Sequence, residues 1–287
     1  MRLNVKIIQK IASLSSFYKK RVFDTAPAFL EERDLKKIKD EWWLSLIYFF
    51  DRVFYQGRND TVSGQFEKAT INALKLYFNN PESENLEKLK QKDLLEWVNY
   101  GFQKGKSPVE GLYSKPLHEC LTKTYDFSHE GKDVTSSTGK QRDRAMVIDT
   151  LKFISELPDY NILSYSIKEI KKGKLMELDS DLRNIRQVGL KTCSLYLRDT
   201  VSFYSLEKYL SRPDYDVLQP IDTWVHQMAI KLDIIKPKMK LEELASKRCI
   251  ITNAACNAGV SPIDFNQGLW YLPTHAVDLL LKEYNKK

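Results

Sequence analysis

"NIRQVGLKTCSLYLRD", the stretch from Asn184 to Asp199, carries the strongest structural signal in the chain. Gly189 and Lys191 open a run that is otherwise an amphipathic helix, with Leu195 and Leu197 among its apolar positions. The pattern predicts a first helix, a tight turn that Gly189 makes possible, and a second helix. A lysine in the first turn meets the positive end of the helix dipole, which disfavours the charged form. Either the lysine lies in an ordinary solvated turn, or the turn and the lysine serve a chemical purpose.

Length and composition are ordinary for a globular protein. The chain has 287 residues, 43% of them hydrophobic, which favours two compact lobes over one. Its net charge of +7 indicates a polyanionic partner only weakly, because a lysine-rich solvated surface has the same charge. No apolar run reaches the roughly 20 residues that cross a bilayer. We expect an intracellular protein of the cytoplasm or nucleoid, with neither a membrane segment nor a signal peptide.

The cysteines and histidines do not form a ligand pattern. No two cysteines have the CxxC spacing, so reduced thiols are expected instead of disulfides. Cys249 and Cys256 could begin an iron–sulfur site, but a cluster needs about four thiolates and no further cysteine follows. We therefore predict no metal and no cofactor.

Helical periodicity dominates the rest of the chain. Apolar residues recur at helical spacing over residues 40–56, 63–78, 85–102 and 145–157, with Ser63 as a candidate N-cap. Over residues 40–56 they recur on nearly all sides, which predicts a helix enclosed on most sides. No convincing alternating strand is found, so the predicted class is all-α. The polar stretch 127–144 is predicted to be a linker or boundary.

A second motif follows the first, "LQPIDTWVHQMAIKL" from Leu218 to Leu232. Pro220 and Ile221 precede Asp222, and an amphipathic helix begins directly after it. The pattern predicts that Asp222 is the N-cap of that helix, which is a common structural role for aspartate.

Together and in this order, the two motifs resemble the helix–hairpin–helix–Gly/Pro–Asp superfamily of DNA glycosylases, over roughly residues 140–235. The resemblance implies two helical lobes with a DNA-binding cleft between them. Residues 140–235 would form the catalytic lobe, and residues 1–139 the other lobe, completed by 236–287. In this family the turn directs successive backbone amides and a helix N-terminus at a DNA phosphate.

The resemblance assigns DNA-binding and catalytic positions. Gln187, Val188, Gly189 and Leu190 would bind the DNA backbone, with Gln187 standing where the family has its first glycine. Val188 would be the motif's buried apolar residue between the turn positions. Lys191 is at the position of the Schiff-base lysine of the members that are also lyases. Asp222 is at the position of the catalytic aspartate.

The distance between the two motifs and the number of cysteines indicate which branch of the superfamily the chain resembles. The long segment 192–221 between Lys191 and Asp222, together with the missing cluster cysteines, resembles the archaeal-type 8-oxoguanine (GO) DNA glycosylase/AP lyase. Within that branch, Arg198 stands two helical turns after Lys191 at a second basic pocket position. Trp270 would stack on the extruded base, with Asn266 or Asp264 beside it. These residues are the expected substrate-binding set.

The predicted function is therefore the excision of oxidised purine from double-stranded DNA in base excision repair, by a protein that acts as a monomer. An endonuclease III-like action on oxidised pyrimidines stays open. A non-catalytic helix–hairpin–helix module that only binds DNA also stays open, as does a helical protein without a DNA role.

Overall fold

A computed structural model describes residues 5–24, 34–55, 60–79, 115–129 and 131–272. These residues are mostly helical and contain one two-stranded sheet. The predicted helix over 85–102 lies outside the described residues. None of the helices in the described ranges is long and apolar enough to span a bilayer.

The elements follow one another in a simple order. The helices are α1 (Val5–Ala12), α2 (Ser15–Asp24), α3 (Leu35–Asp40), α4 (Trp42–Val53), α5 (Asp60–Phe78), α6 (Lys115–Thr122), α7 (Gln141–Ser155), α8 (Ile162–Lys171), α9 (Leu175–Arg183), α10 (Leu190–Phe203), α11 (Asp214–Val217), α12 (Thr223–Lys231), α13 (Leu241–Ser246), α14 (Cys249–Asn257) and α15, residues 262–272. The strands β1 (Tyr125–His129) and β2 (Lys132–Ser136) lie between α6 and α7.

The chain divides into two compact units. The first comprises Met1–Arg33, Ile170–Asp179 and Cys193–Lys287, and the second comprises Asp34–Glu169 and Ser180–Thr192. These limits differ from the predicted divisions at 139/140 and 235/236. Residues 140–169 belong to the second unit, where Asn161 and Leu163 are hydrogen-bonded to the unit's N-terminal helices, at Lys39 and Ser45.

The first unit is organised around α1, α12, α14 and α15. Ile8 and Ile11 of α1 share one apolar cluster with Val225, Ile251 and Phe265. The approach of α1 to α15 is close at Gly268, where a Cβ atom would lie 1.9 Å from the carbonyl oxygen of Ile11. Glycine is therefore required at 268 by packing.

The second unit is built on α4. Every residue of this helix after Trp42 is buried, which confirms the prediction of a helix enclosed on most sides. Helix α5 begins at Asp60, a turn earlier than predicted, and Ser63 lies on its buried face. The prediction of Ser63 as an N-cap is therefore wrong, because the helix begins three residues before this serine.

A β-hairpin replaces the linker predicted over 127–144. The strands β1 and β2 are antiparallel, with Phe127 opposite Val134, and Gly131 in the turn has a φ of +75°. Tyr125, Phe127 and Val134 alternate with exposed residues and are half-buried. The polar composition of the segment hid this short alternation, and the prediction without strands is corrected to a mostly helical fold with one hairpin.

Candidate functional site

The predicted helix–turn–helix is present at residues 175–203. Helix α9 ends at Arg183 and α10 begins at Leu190. Val188 is buried, 3% exposed, and its N–H donates to the carbonyl oxygen of Ile185 at 3.0 Å. We call residues 184–191 the hairpin segment. The buried valine anchors this turn from within, as the apolar position of the motif predicts.

The left-handed residue of the hairpin segment is Gln187. Its φ is +66°, a conformation that favours glycine because a Cβ atom crowds the backbone there. Gly189 has no φ in that range, and a Cβ atom built on it would meet no atom within 4 Å. The expectation that the glycine at 189 makes the tight turn is therefore wrong. The turn is made at Gln187, where the resembling family has its first glycine.

An ion pair holds the residue next to Gln187. Arg186 donates from Nε to Oδ2 of Asp149 at 2.5 Å and from Nη2 to Oδ1 at 2.6 Å. The backbone N–H of Arg186 also donates to Oδ2 of Asp149, at 3.2 Å. One carboxylate of α7 therefore binds both the side chain and the main chain of the hairpin segment.

The outer surface of the hairpin segment carries three of the four predicted DNA-binding residues. Gln187, Gly189 and Leu190 are exposed, whereas Val188 is buried. Lys191 is the second residue of α10 and is half-buried. A helix N-terminus with exposed backbone N–H groups before it is a suitable place for an anion.

Asp222 is the N-cap of α12, as predicted. Its backbone is extended, and its Oδ1 accepts a hydrogen bond from the N–H of Val225 at 2.8 Å. The side chain is half-buried, and Trp224, which follows in the first turn, is 47% exposed. Asp222 belongs to the first unit and Lys191 to the second.

The three predicted substrate-binding residues lie together in the first unit. Nη1 of Arg198 donates to Oδ1 of Asn266 at 2.7 Å, and the guanidinium carbon lies 5.4 Å from the centre of a Trp270 ring. Asn266 Nδ2 and Trp270 Nε1 both donate to the carbonyl oxygen of Pro220, at 3.5 and 3.3 Å. Only Ile221 lies between Pro220 and Asp222, so the cluster also supports the segment that leads to the N-cap.

Burial distinguishes the three residues. Arg198 and Asn266 are 0% exposed, and Trp270 is half-buried. Of the three, Trp270 alone presents surface. Arg198 and Asn266 therefore have no surface of their own and contact Trp270 and its surroundings from the interior. Asp264, the alternative polar neighbour, instead forms an ion pair with Lys19 at 3.1 Å.

Two members of this cluster, Asp199 and Tyr18, were not among the predicted site residues. Asp199 accepts from Nε of Arg198 at 3.0 Å and from Nη2 at 2.8 Å. The Tyr18 hydroxyl donates to Asp199 Oδ2 at 2.9 Å and also contacts Nη2 of Arg198, while the Tyr18 ring lies 4.7 Å from the guanidinium. Tyr18 is distant in sequence, and no local pattern singles it out. The adjacent Arg-Asp pair in an otherwise apolar helix is a visible but weak signal.

The contacts within this cluster offset the free-energy cost of burying the charges of Arg198 and Asp199. Arg198 and Asp199 are both 0% exposed, so each depends on the other and on neutral hydrogen-bond partners. Tyr18 and Trp270 lie against the guanidinium, an arrangement in which aromatic rings stabilise a cation. The result is a hydrogen-bonded polar cluster that contacts a half-buried tryptophan.

Comparison with known proteins does not assign the chain to a family. No protein-family model matches the chain, and neither a curated protein nor a solved structure matches it.

Proposed function

We propose that this protein is a bifunctional DNA glycosylase and AP lyase that excises an oxidised purine, 8-oxoguanine, from double-stranded DNA. The observation that carries the proposal is the hairpin segment: a tight turn with exposed backbone, followed at once by Lys191 in the first turn of α10. We also propose that the protein has the fold of the helix–hairpin–helix DNA glycosylases.

Support for backbone binding comes from the exposed edge of the hairpin segment. Gln187, Gly189 and Leu190 are exposed at the N-terminus of α10, and the backbone N–H groups of a helix N-terminus attract a phosphate. The open space beside Gly189 lets a ligand approach the main chain closely. Such contacts fix the position of the protein on DNA without reading the sequence of bases.

The chemistry follows from an amine and a carboxylate. A base inside a duplex is out of reach, so the nucleotide is extruded at a cost of a few kcal/mol. The neutral amine of Lys191 attacks C1′; the N–C1′ bond forms, the glycosidic bond breaks, and the base leaves with a proton. Asp222 stabilises the positive charge that develops on the sugar. Loss of the amine protons and opening of the sugar ring give a Schiff base.

In the second step, the Schiff base reacts further and the DNA strand is cleaved. The Schiff base acidifies the C2′ proton, a base removes it, and the 3′ phosphate leaves as the C3′–O bond breaks. Water then hydrolyses the imine and regenerates Lys191. No redox partner is needed, because every electron pair stays within the sugar, the amine and the leaving groups.

Base recognition is assigned to the cluster around Trp270. The indole of Trp270 is half-buried, and an aromatic ring is suited to stacking on a purine. Arg198 and Asn266 hold that indole from behind, through the guanidinium contact and the shared Pro220 carbonyl. The stacking face is therefore fixed before the base arrives.

The testing experiment is a panel of matched duplexes that carry 8-oxoguanine, an oxidised pyrimidine, an alkylated purine or no lesion. The proposal expects base release and strand nicking on 8-oxoguanine, no nicking by Lys191→Gln, and unchanged activity of the exposed-lysine control Lys238→Gln. If only the oxidised pyrimidine were released, the substrate class would be oxidised pyrimidines instead of oxidised purines. Salt-dependent binding of all duplexes without base release would mean a DNA-binding module instead of an enzyme.

A further inference from the structure

The hairpin segment contains a conformational conflict. Gln187 has a φ of +66°, although it bears a side chain and is exposed. A residue with a Cβ atom leaves the left-handed region readily unless its surroundings hold it there. Something near Gln187 must therefore maintain the turn.

Asp149 of α7 is placed to maintain it. Both of its carboxylate oxygens bind Arg186, the residue directly before Gln187, and one of them also accepts the Arg186 backbone N–H. The contact is partly shielded, with the side chain of Asp149 14% exposed and that of Arg186 24% exposed. Charge-assisted bonds with two parallel contacts are the strongest and most directional hydrogen bonds that side chains form.

The other side of Gln187 is anchored by packing. Val188 is 3% exposed, and its N–H binds the carbonyl oxygen of Ile185. The ion pair before Gln187 and the buried valine after it together restrict the two peptide units that flank the residue. The valine is part of the turn itself, whereas Asp149 acts from a different helix.

We propose that Asp149 is a positioning residue that holds the hairpin segment in its DNA-binding shape through Arg186, and so allows glutamine to occupy a left-handed position. The proposal rests on the proposed function, in which this segment binds the DNA backbone. Asp149 touches neither substrate nor reacting atoms in this account.

The sign of the charge makes the proposal testable. Removing a carboxylate beside a phosphate-binding segment should tighten DNA binding if electrostatics alone acts. Removing the contact that maintains the turn should weaken it, because a smaller fraction of molecules then has the competent shape. The two effects have opposite signs in the same variant.

The experiment measures the affinity of the full-length protein for an undamaged duplex. Asp149→Asn should bind about fivefold more weakly or worse, whereas Asp216→Asn, with the same change of charge at the exposed Arg212 pair, should not weaken binding. Gln187→Gly in the Asp149→Asn background should restore most of the loss, because glycine adopts the left-handed conformation unaided. Arg186→Lys, which keeps the charge but not the two parallel bonds, should show the same loss and the same rescue.

Two results would overturn the proposal: Asp149→Asn binding as tightly as Asp216→Asn, or no rescue by Gln187→Gly. If the wild-type protein binds no duplex, the proposed function fails separately. Amide exchange at Val188 without DNA then decides the question. It should be faster in Asp149→Asn than in the wild-type protein and in Asp216→Asn, and equal rates would contradict the role of Asp149.

Discussion

Nη1 of Arg198 donates a hydrogen bond of 2.7 Å to Oδ1 of Asn266, 68 residues further along the chain. The same guanidinium lies 5.4 Å from the Trp270 ring. Residues from two distant stretches of sequence, Arg198 in one and Asn266 and Trp270 in the other, therefore form one cluster. The cluster contains the ion pair between Arg198 and Asp199, and neither residue has exposed surface.

The first prediction concerns that ion pair. Arg198→Met leaves the Asp199 carboxylate buried without its charge partner, and we expect a loss of about 3–5 kcal/mol in the free energy of unfolding. Arg198→Met/Asp199→Leu should recover a large part of that loss, because no uncompensated charge stays behind. Urea unfolding measures both variants. The control is Arg212→Met at an exposed pair, where we expect a change of roughly 1 kcal/mol at most.

The second prediction separates the two roles of Asp222. Asp222→Asn should preserve the cap to Val225, since asparagine caps a helix about as well as aspartate, and the melting temperature should hardly change. Base release should fall by orders of magnitude, because the carboxylate charge is lost. Asp34→Asn, at the N-cap of α3, is the matched control and should keep full activity. An Asp222→Asn protein with wild-type activity would leave this aspartate as a structural cap.

The third prediction concerns Gly189. A Cβ atom there meets nothing within 4 Å, so Gly189→Ala should fold normally and lose no stability. Binding should weaken by a similar factor on damaged and undamaged duplexes, because the added methyl group obstructs the approach of the backbone phosphate. Paired thermal melts and duplex titrations measure the two effects. Loss confined to damaged DNA would instead place Gly189 at the base pocket.

The fourth prediction concerns the pH dependence of stability. Burial, and then the nearby Asp51 carboxylate, raise the pKa of Glu67 well above 4.5, while Arg52 and Lys68 oppose the shift. Among the described residues, no group is hydrogen-bonded to its Oε1. Since the pKa is raised in the folded state, the stabilising contribution is complete below about 4.5, the unfolded value, and is lost as the pH rises through the folded value.

Glu67→Gln removes that titration. Its stability relative to the wild-type protein should increase as the pH rises above about 4.5. Urea unfolding at pH 5 and pH 8 measures the difference between the two proteins. A difference that is the same at both pH values would show that Glu67 does not change its protonation across this range.

Local signals made part of the fold and of the site predictable. The glycine and lysine spacing at 189 and 191 predicted the turn before α10, and the segment before Asp222 predicted its N-cap, because both features depend on neighbouring residues. The enclosed helix α4 was predictable from its continuous apolar residues.

Other features depend on contacts that the sequence does not display. The hairpin of β1 and β2 has few apolar residues and is supported by packing on α5, where Lys68 Nζ lies 3.1 Å from the Ser128 carbonyl oxygen. Tyr18 reaches Arg198 across 180 positions, and Asp149 reaches Arg186 across 37. The left-handed conformation occurs at Gln187 and not at Gly189. Tertiary contacts hold Gln187 in this conformation, although residues with a Cβ atom disfavour it.

The most direct test of the central claim is borohydride trapping on a duplex that contains 8-oxoguanine, followed by peptide mapping of the adduct. If Lys191 attacks C1′, reduction of the Schiff base yields a stable protein–DNA conjugate whose modified peptide contains Lys191. The Lys191→Gln variant should still bind DNA but give no conjugate, since one side-chain charge is a small part of an interface dominated by the backbone. A conjugate that persists in Lys191→Gln, or wild-type protein that binds the lesion duplex tightly and is never trapped, would contradict the account.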